Sequence, residues 1–136
     1  MRILGLDVGE KTIGVAASDV MGWTAQGITV IRCSTLEQDF AELRAIVKEY
    51  NVDKFVVGMP RRTDGSYGPE AEKVRSFGEE LEREFELPVE YWDERFSTAA
   101  AERILLEGDV SRAKRRRVID KVAAAVILQA YLDRQS

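Results

Sequence analysis

Three places in the chain carry carboxylates where apolar residues would be expected. Asp7 lies near the end of Arg2 to Val8, the most hydrophobic strand-like stretch. A carboxylate there is costly unless it is solvated at the strand end, paired, or bound to a metal. Asp93 and Glu94 close another short run of strand-forming residues. Successive side chains of a strand point to opposite faces, so only one of these two can join Asp7. Asp120 precedes Ala123, Ala124, Ile127, Leu128 and Tyr131 by three, four, seven, eight and eleven residues. Those offsets predict a place on the apolar stripe of a helix rather than on its solvated face.

Each carboxylate also has a plainer reading. Asp7 can open the turn into Gly9. Asp93 or Glu94 can be a solvated strand end that favours the start of the next helix, and Asp120 can cap a helix. Together, however, they fall at strand ends and on a helix that packs on the sheet, and open α/β sheets form their sites at the carboxyl ends of strands. Clustered carboxylates repel one another unless a cation neutralises them. The chain has no histidine and one cysteine, Cys33. The remaining ligands are hard oxygens, which select Mg²⁺ or Mn²⁺. Two such ions about 4 Å apart suit phosphodiester hydrolysis. The lack of histidine also excludes His-based acid–base catalysis and His-ligated zinc.

The net charge is -4, which by itself argues against a nucleic-acid partner. The distribution argues the other way. Acidic residues crowd the middle of the chain, whereas Arg112, Lys114, Arg115, Arg116 and Arg117 form a basic run just before Asp120. A solvated helix end is the bland reading of such a run. Lys11, Arg61, Arg62 and Arg95 fall in loops beside the expected site. The basic residues are expected to hold the phosphate backbone, which positions a nucleic acid without reading its bases. Trp23 and Trp92 can stack on bases, but partly buried core is the expectation for both.

The elements that must carry these groups follow from periodicity. Arg2 to Val8, Thr12 to Ser18 and Gly27 to Arg32 read as three strands in an antiparallel meander. Ser34-Thr35-Leu36-Glu37 is a capping box, followed at helical spacing by Leu36, Phe40, Leu43, Val47 and Tyr50, with Asn51 as the stop. Lys54 to Gly58 is a fourth strand. Pro69 to Phe85 is a helix with Val74, Phe77, Leu81 and Phe85 inward, and Val89 to Asp93 is a fifth strand. Ser97 or Thr98 is expected to cap a helix ending at Gly108. A last helix contains Asp120 to Arg134. Strands that alternate with helices imply parallel pairing and right-handed crossovers. The expected class is α/β: one five-stranded mixed sheet with helices on both faces.

At 136 residues the chain is sized for a single domain spanning 1–136. A single cysteine offers no disulfide framework, no basic n-region leads into a signal-peptide core, and no apolar run is long enough to span a bilayer. A cytoplasmic protein with no membrane partner is expected.

Four stretches together carry a family resemblance. They are Leu6-Asp7-Val8-Gly9-Glu10-Lys11-Thr12-Ile13-Gly14-Val15-Ala16; Val56-Val57-Gly58-Met59-Pro60 with Asp64-Gly65-Ser66; Asp93-Glu94-Arg95-Phe96-Ser97-Thr98; and Ile119-Asp120-Lys121-Val122-Ala123-Ala124 leading into Ile127-Leu128. The chain resembles the YqgF/RuvX family of Holliday junction resolvase-like proteins, also described as the pre-16S rRNA nuclease family. The resemblance implies a ribonuclease-H-like fold and a metal-dependent nuclease acting on structured nucleic acid. It also implies Asp7, Glu94 and Asp120 as the acidic triad, with Glu94 preferred to Asp93. Precursor rRNA is the first substrate it suggests and branched DNA the second. Arg61-Arg62-Thr63 departs from the family's usual apolar and amide residues there, which bears on substrate preference. Two rivals stand beside this reading. Asp7-Val8-Gly9 with Val15 resembles the phosphate hairpin of actin-like ATPases, which need a second lobe. A non-catalytic nucleic-acid-binding module would not need the carboxylates. Symmetric junction cutting requires a homodimer, whereas RNA processing can be done by a monomer.

Overall fold

The structure is a computed structural model that describes residues 1–60, 64–94 and 112–135, with the helical backbone alone for residues 112–120. The described elements run β1 (Ile3–Val8), β2 (Thr12–Ser18), β3 (Ala25–Arg32), α1 (Leu36–Tyr50), β4 (Lys54–Met59), α2 (Pro69–Phe85), β5 (Val89–Asp93) and α3 (Arg112–Gln135). The sheet order is β3-β2-β1-β4-β5. The first three strands pair antiparallel, and β4 and β5 join in parallel. This is the mixed sheet expected from the sequence. No helix among the described residues is long and apolar enough to cross a membrane.

Alternation along the strands divides the interior into two layers. Leu4, Leu6, Ile13, Val15, Phe55 and Val57 point toward α1 and α2, where they meet Phe40, Leu43, Val74 and Leu81. Phe40 packs edge-on against Phe77 and Phe85, and Phe55 against Phe85, with ring centroids 5.4–5.7 Å apart. The opposite parity, Ile3, Ala16 and Val56, meets Ala124, Leu128, Tyr131 and Leu132 of α3. This second layer is thin. A Cβ added to Gly5 would lie 2.8 Å from Leu128 Cβ, and one on Gly27 would lie 2.9 Å from Lys121 Cγ. The helix therefore rests almost on the backbone of β1 and β3, a close approach that glycine alone permits.

Several local expectations are corrected. The cap of α1 is Thr35 rather than Ser34. Thr35 Oγ1 accepts the Gln38 amide at 3.2 Å, while the Ser34 amide donates to the Asp39 carboxylate at 3.1 Å. The adjacent hydroxyl wins because Asp39 draws Ser34 outside the first turn. Leu36, one turn too early for the buried stripe, is 45% exposed. Asn51 does end α1, in the left-handed region at φ 51°. Strand β3 begins at Ala25 rather than Gly27, because Ala25 pairs with Ser18 and donates its amide to Gln129 at 2.9 Å. Trp23 is not core: it is 71% exposed. The Asp19 carboxylate accepts the Trp23 and Thr24 amides at 2.7 and 3.3 Å, locking a turn that aims the indole outward. Trp92 is half-buried as expected, edge-on to Tyr131. The helix expected from Ser97 or Thr98 to Gly108 lies outside the described residues.

Candidate active site at the carboxyl ends of the central strands

Asp7 occupies the next-to-last position of β1, opposite Gly14 of β2 and one step beyond the Leu6–Val57 pair with β4. Its parity is that of Ile3 and Gly5, so it belongs to the α3 layer. Its residue surface is only 8% exposed. The β1–β2 turn that follows is closed by the Gly9 amide, which donates to Thr12 O at 2.8 Å. A Cβ on Gly9 would stand 3.2 Å from that same oxygen, so the turn is tight at this point. Lys11 in the turn is exposed, and its carbonyl accepts the Cys33 amide.

Two strands away, Gly58 pairs with Trp92 and Met59 with Asp93. Trp92 packs in the α3 layer with Ala123, Ile127 and Tyr131. Alternation then assigns Asp93 the side of Tyr91 and returns Glu94 to the side of Trp92. Glu94 does take that side. Its Oε1 lies 2.9 Å and its Cγ 3.3 Å from the point a Cβ on Gly58 would occupy, and Ile127 Cδ1 approaches the same point to 2.9 Å. The Glu94 carboxylate thus lies over the β4 backbone, beside α3. Of the two adjacent carboxylates, Glu94 is the one on the face that Asp7 shares.

Position 120 is one helical turn before Ala123 and Ala124, which are fully buried against the sheet. The Asp120 side chain lies outside the described residues. So do Arg61, Arg62 and Arg95, and the side chains of Arg112, Lys114, Arg115, Arg116 and Arg117. The backbone does place that basic run within the first two turns of α3. Among the described residues, no group of three His, Cys, Asp or Glu side chains forms a metal cluster. Asp7 and Glu94 are two hard-oxygen donors from separate strands at one end of one face. That donor chemistry fits Mg²⁺ or Mn²⁺ and does not fit a thiophilic metal.

Gly58 carries no chemistry of its own, and residue types at this position point to none. The available signal is a glycine inside an otherwise apolar strand, which marks close approach by something else. A cleft of about 300 Å³ lies on the other side of the β1–β2 hairpin, among Val8, Ile13, Cys33, Leu36 and Phe77. Its walls belong to the α1 and α2 layer, so it is separate from the face that holds Glu94. Burial raises the Cys33 thiol above its ordinary range, and nearby Asp39 adds to this. The thiol is therefore protonated and a poor nucleophile at neutral pH.

Known proteins share this architecture. RuvC from Thermus thermophilus superposes with a TM-score of 0.58 at 15% identity, over 99% of this chain and 96% of that one. The fowlpox virus Holliday junction resolvase gives 0.57 at 16% identity over the whole of both chains. At such identity the likeness concerns the fold, which is ribonuclease-H-like. Sequence relatives are much nearer. A protein of Symbiobacterium thermophilum is 65% identical over 133 residues, covering 98% of this chain and 92% of its own. One of Heliobacterium modesticaldum is 57% identical over 133 residues, covering 98% and 89%. Both bear the name "Putative pre-16S rRNA nuclease". The model of one family, described as "RuvX: Holliday junction resolvase", matches residues 1–134. With nearly its full length matched, the chain belongs to the RuvX family.

Proposed function

We propose that this chain is a divalent-metal-dependent nuclease that cuts phosphodiester bonds in the ends of pre-16S rRNA, in the cytoplasm, with Asp7, Glu94 and Asp120 as its metal-binding and catalytic residues. The observation that carries the reading is the Glu94 carboxylate lying over Gly58 on the face that also takes Asp7. Two negative side chains held on rigid strands, with a third expected one turn before Ala123, make a site that a cation completes. Mg²⁺ or Mn²⁺ bound there would draw charge from the phosphate in the transition state and make a neighbouring water easier to deprotonate.

The chain's own residues do the rest. Asp7 within β1, and Glu94 seated over Gly58 at the end of β5, start close to where a cation needs them, so that little reorganisation is needed when substrate arrives. Lys11, Arg61, Arg62, Arg95 and the run Arg112, Lys114, Arg115, Arg116 and Arg117 grip phosphates on either side of the scissile bond. This basic grip offsets the repulsion expected from a chain of net charge -4. The names of the near relatives favour precursor rRNA. The family description favours the second reading, resolution of branched DNA, for which two copies of the site would have to act together as a homodimer.

A side-by-side cleavage assay separates these readings. Precursor rRNA and four-way DNA junctions are offered to wild type and to Asp120→Asn, in Mg²⁺, Mn²⁺ and EDTA. The expected result is metal-dependent cutting of the RNA, lowered on the order of a thousandfold in the variant, as losing several kcal/mol of transition-state stabilisation implies. Preferential cutting of junctions would move the assignment to the second reading. Cutting that persists in EDTA, or that is equal in the variant, would remove the proposed centre.

A further inference from the structure

We propose that Gly58 is a positioning residue for Glu94: the missing side chain in β4 is the slot in which the Glu94 carboxylate lies. The inference rests on the metal-centre reading above and deepens it. Gly58 is buried in β4 between Val57 and Met59, and its pro-Cβ direction is toward α3. A methyl group there would stand 2.9 Å from Glu94 Oε1, 3.3 Å from Glu94 Cγ and 2.9 Å from Ile127 Cδ1. Cβ contacts under 3 Å do not persist, so a neighbour must move.

The neighbours are unequal in their freedom. Both atoms closest to the slot are ends of flexible side chains, so the strand itself need not shift. Ile127 is fully buried among Ala123, Trp92 and Val126. Glu94 is half-buried just past the last residue of β5. A half-buried carboxylate at the end of a flexible side chain gains hydration by swinging outward, whereas a fully buried isoleucine is confined by close packing. The methyl group therefore expels Glu94, and separately presses on the helix through Ile127 Cδ1. Gly58 is thus not only a thin spot that admits α3, as Gly5 and Gly27 are. It reserves the position of one carboxylate between β4 and the helix that bears Asp120.

The two roles part in a small set of variants: Gly58→Ala, Ile127→Val, and the double substitution Gly58→Ala/Ile127→Val. Ile127→Val removes Cδ1 and so relieves the helix contact while leaving the Glu94 collision intact. Mn²⁺ affinity is measured calorimetrically without nucleic acid, and thermal midpoints are measured in EDTA. Ile127→Val should bind Mn²⁺ as wild type does. Gly58→Ala and the double variant should both bind about tenfold or more weakly, as when a group that orients a ligand is lost. The double variant should nevertheless melt near Ile127→Val. In cleavage assays the half-saturating Mn²⁺ concentration should rise by the same factor, with the rate restored at saturating metal. If the double variant binds Mn²⁺ like Ile127→Val, Gly58 serves only helix packing and the proposal fails. If the double variant does not fold, the methyl displaces backbone rather than carboxylate, and the proposal fails as well. Wild type that binds no Mn²⁺, or binding that is unchanged in Asp7→Asn, would instead sink the metal centre itself.

Discussion

On the α1 and α2 side of the sheet, Phe40, Phe55, Phe77 and Phe85 interlock with Leu4, Leu6 and Leu81 in a thick aromatic layer. On the α3 side, Gly5 faces Ala124 and Leu128, Gly27 faces Lys121 and Gly58 faces Ile127, and the helix lies almost on the strand backbone. The two sides bury apolar surface with opposite geometry. The thick side carries its bulky side chains on the face away from Asp7 and Glu94. The thin side has little slack, because any change in layer height moves the helix that carries Asp120 relative to Asp7 and Glu94. The two sides are thus expected to respond differently to substitution: the thick one in stability alone, the thin one in stability and in the proposed centre together.

The largest expected effect tests the thick side. Phe55 is fully buried and packs on Phe85 with ring centroids 5.4 Å apart. Phe55→Ala should cost about 3–5 kcal/mol of folding stability through lost burial and the cavity left behind. Chemical denaturation gives that loss. Cleavage per folded molecule and Mn²⁺ affinity should stay near wild type, because Phe55 points away from the Glu94 face. A drop in metal affinity beyond the folded fraction would show that the two sides are coupled, and would break the comparison.

The contrast between the layers was only partly legible from residue types. Strand parity is local: Asp7 and Leu6 must face opposite ways whatever surrounds them, and likewise Asp93 and Glu94. Parity alone could not say which of the latter pair meets Asp7. That depends on the register between β1, β4 and β5, which packing across the sheet decides. The β-branched runs and the proline at the start of α2 point to the element order, and helical spacing points to the buried stripe Ala123, Ala124, Ile127, Leu128 and Tyr131 of α3. The cap of α1 slipped by one residue because two neighbouring hydroxyls compete for the same amides, and Asp39 settles the competition from within the helix. Trp23 departs from the expected burial because indole burial is a tendency of the residue type, while the outward aim is set by the Asp19 turn. The role of Gly58 needed coordinates, since an absent side chain has meaning only when its would-be neighbours are known.

A moderate effect tests the thin side. Gly5→Ala would put a methyl 2.8 Å from Leu128 Cβ and 3.4 Å from the Ala124 carbonyl. Leu128 Cβ is anchored to the helix backbone and cannot swing away, unlike the Glu94 carboxylate. The helix itself must give way, at a cost of about 1–3 kcal/mol for overpacking. Here cleavage per folded molecule should fall together with stability, by tenfold or more if carboxylate spacing matters as geometry-dependent catalysis implies. Parallel measurement of denaturation and single-turnover rate checks both. Lost stability with an unchanged rate would mean that α3 tolerates a change of height without disturbing the centre, and the division between the two sides would lose its functional half.

The smallest effect lies at the opposite end of the same thin layer. Lys54 Nζ donates to Tyr131 Oη and pairs with Glu90 at 3.1 Å. Burial alone would lower the Lys54 pKa, but the bonds to Tyr131 and Glu90 outweigh it and hold the lysine above its ordinary 10.5. Burial, reinforced by Glu90, holds Tyr131 above 10.0. The hydrogen bond from Tyr131, with help from Lys54, holds Glu90 below 4.5. Above pH 10 the unfolded chain loses protons that the folded chain still keeps on Tyr131 and Lys54, so stability falls as pH rises through that range. Below about 4.5 the unfolded chain takes up a proton at Glu90 that the folded chain resists, so stability falls again as pH drops. Tyr131→Phe removes one titrating group, the bond that holds Lys54 up and the largest influence on Glu90. It should cost about 1 kcal/mol at neutral pH, the worth of an ordinary hydrogen bond. Both the acid and alkaline limbs of a stability-against-pH curve should become shallower, while Mn²⁺ affinity at pH 7 stays unchanged. Limbs as steep as those of wild type would mean that this cluster does not titrate with folding. Altered metal affinity would mean that Tyr131 also helps set the position of α3 three turns away at Asp120, extending the positional role of the thin layer along the whole helix.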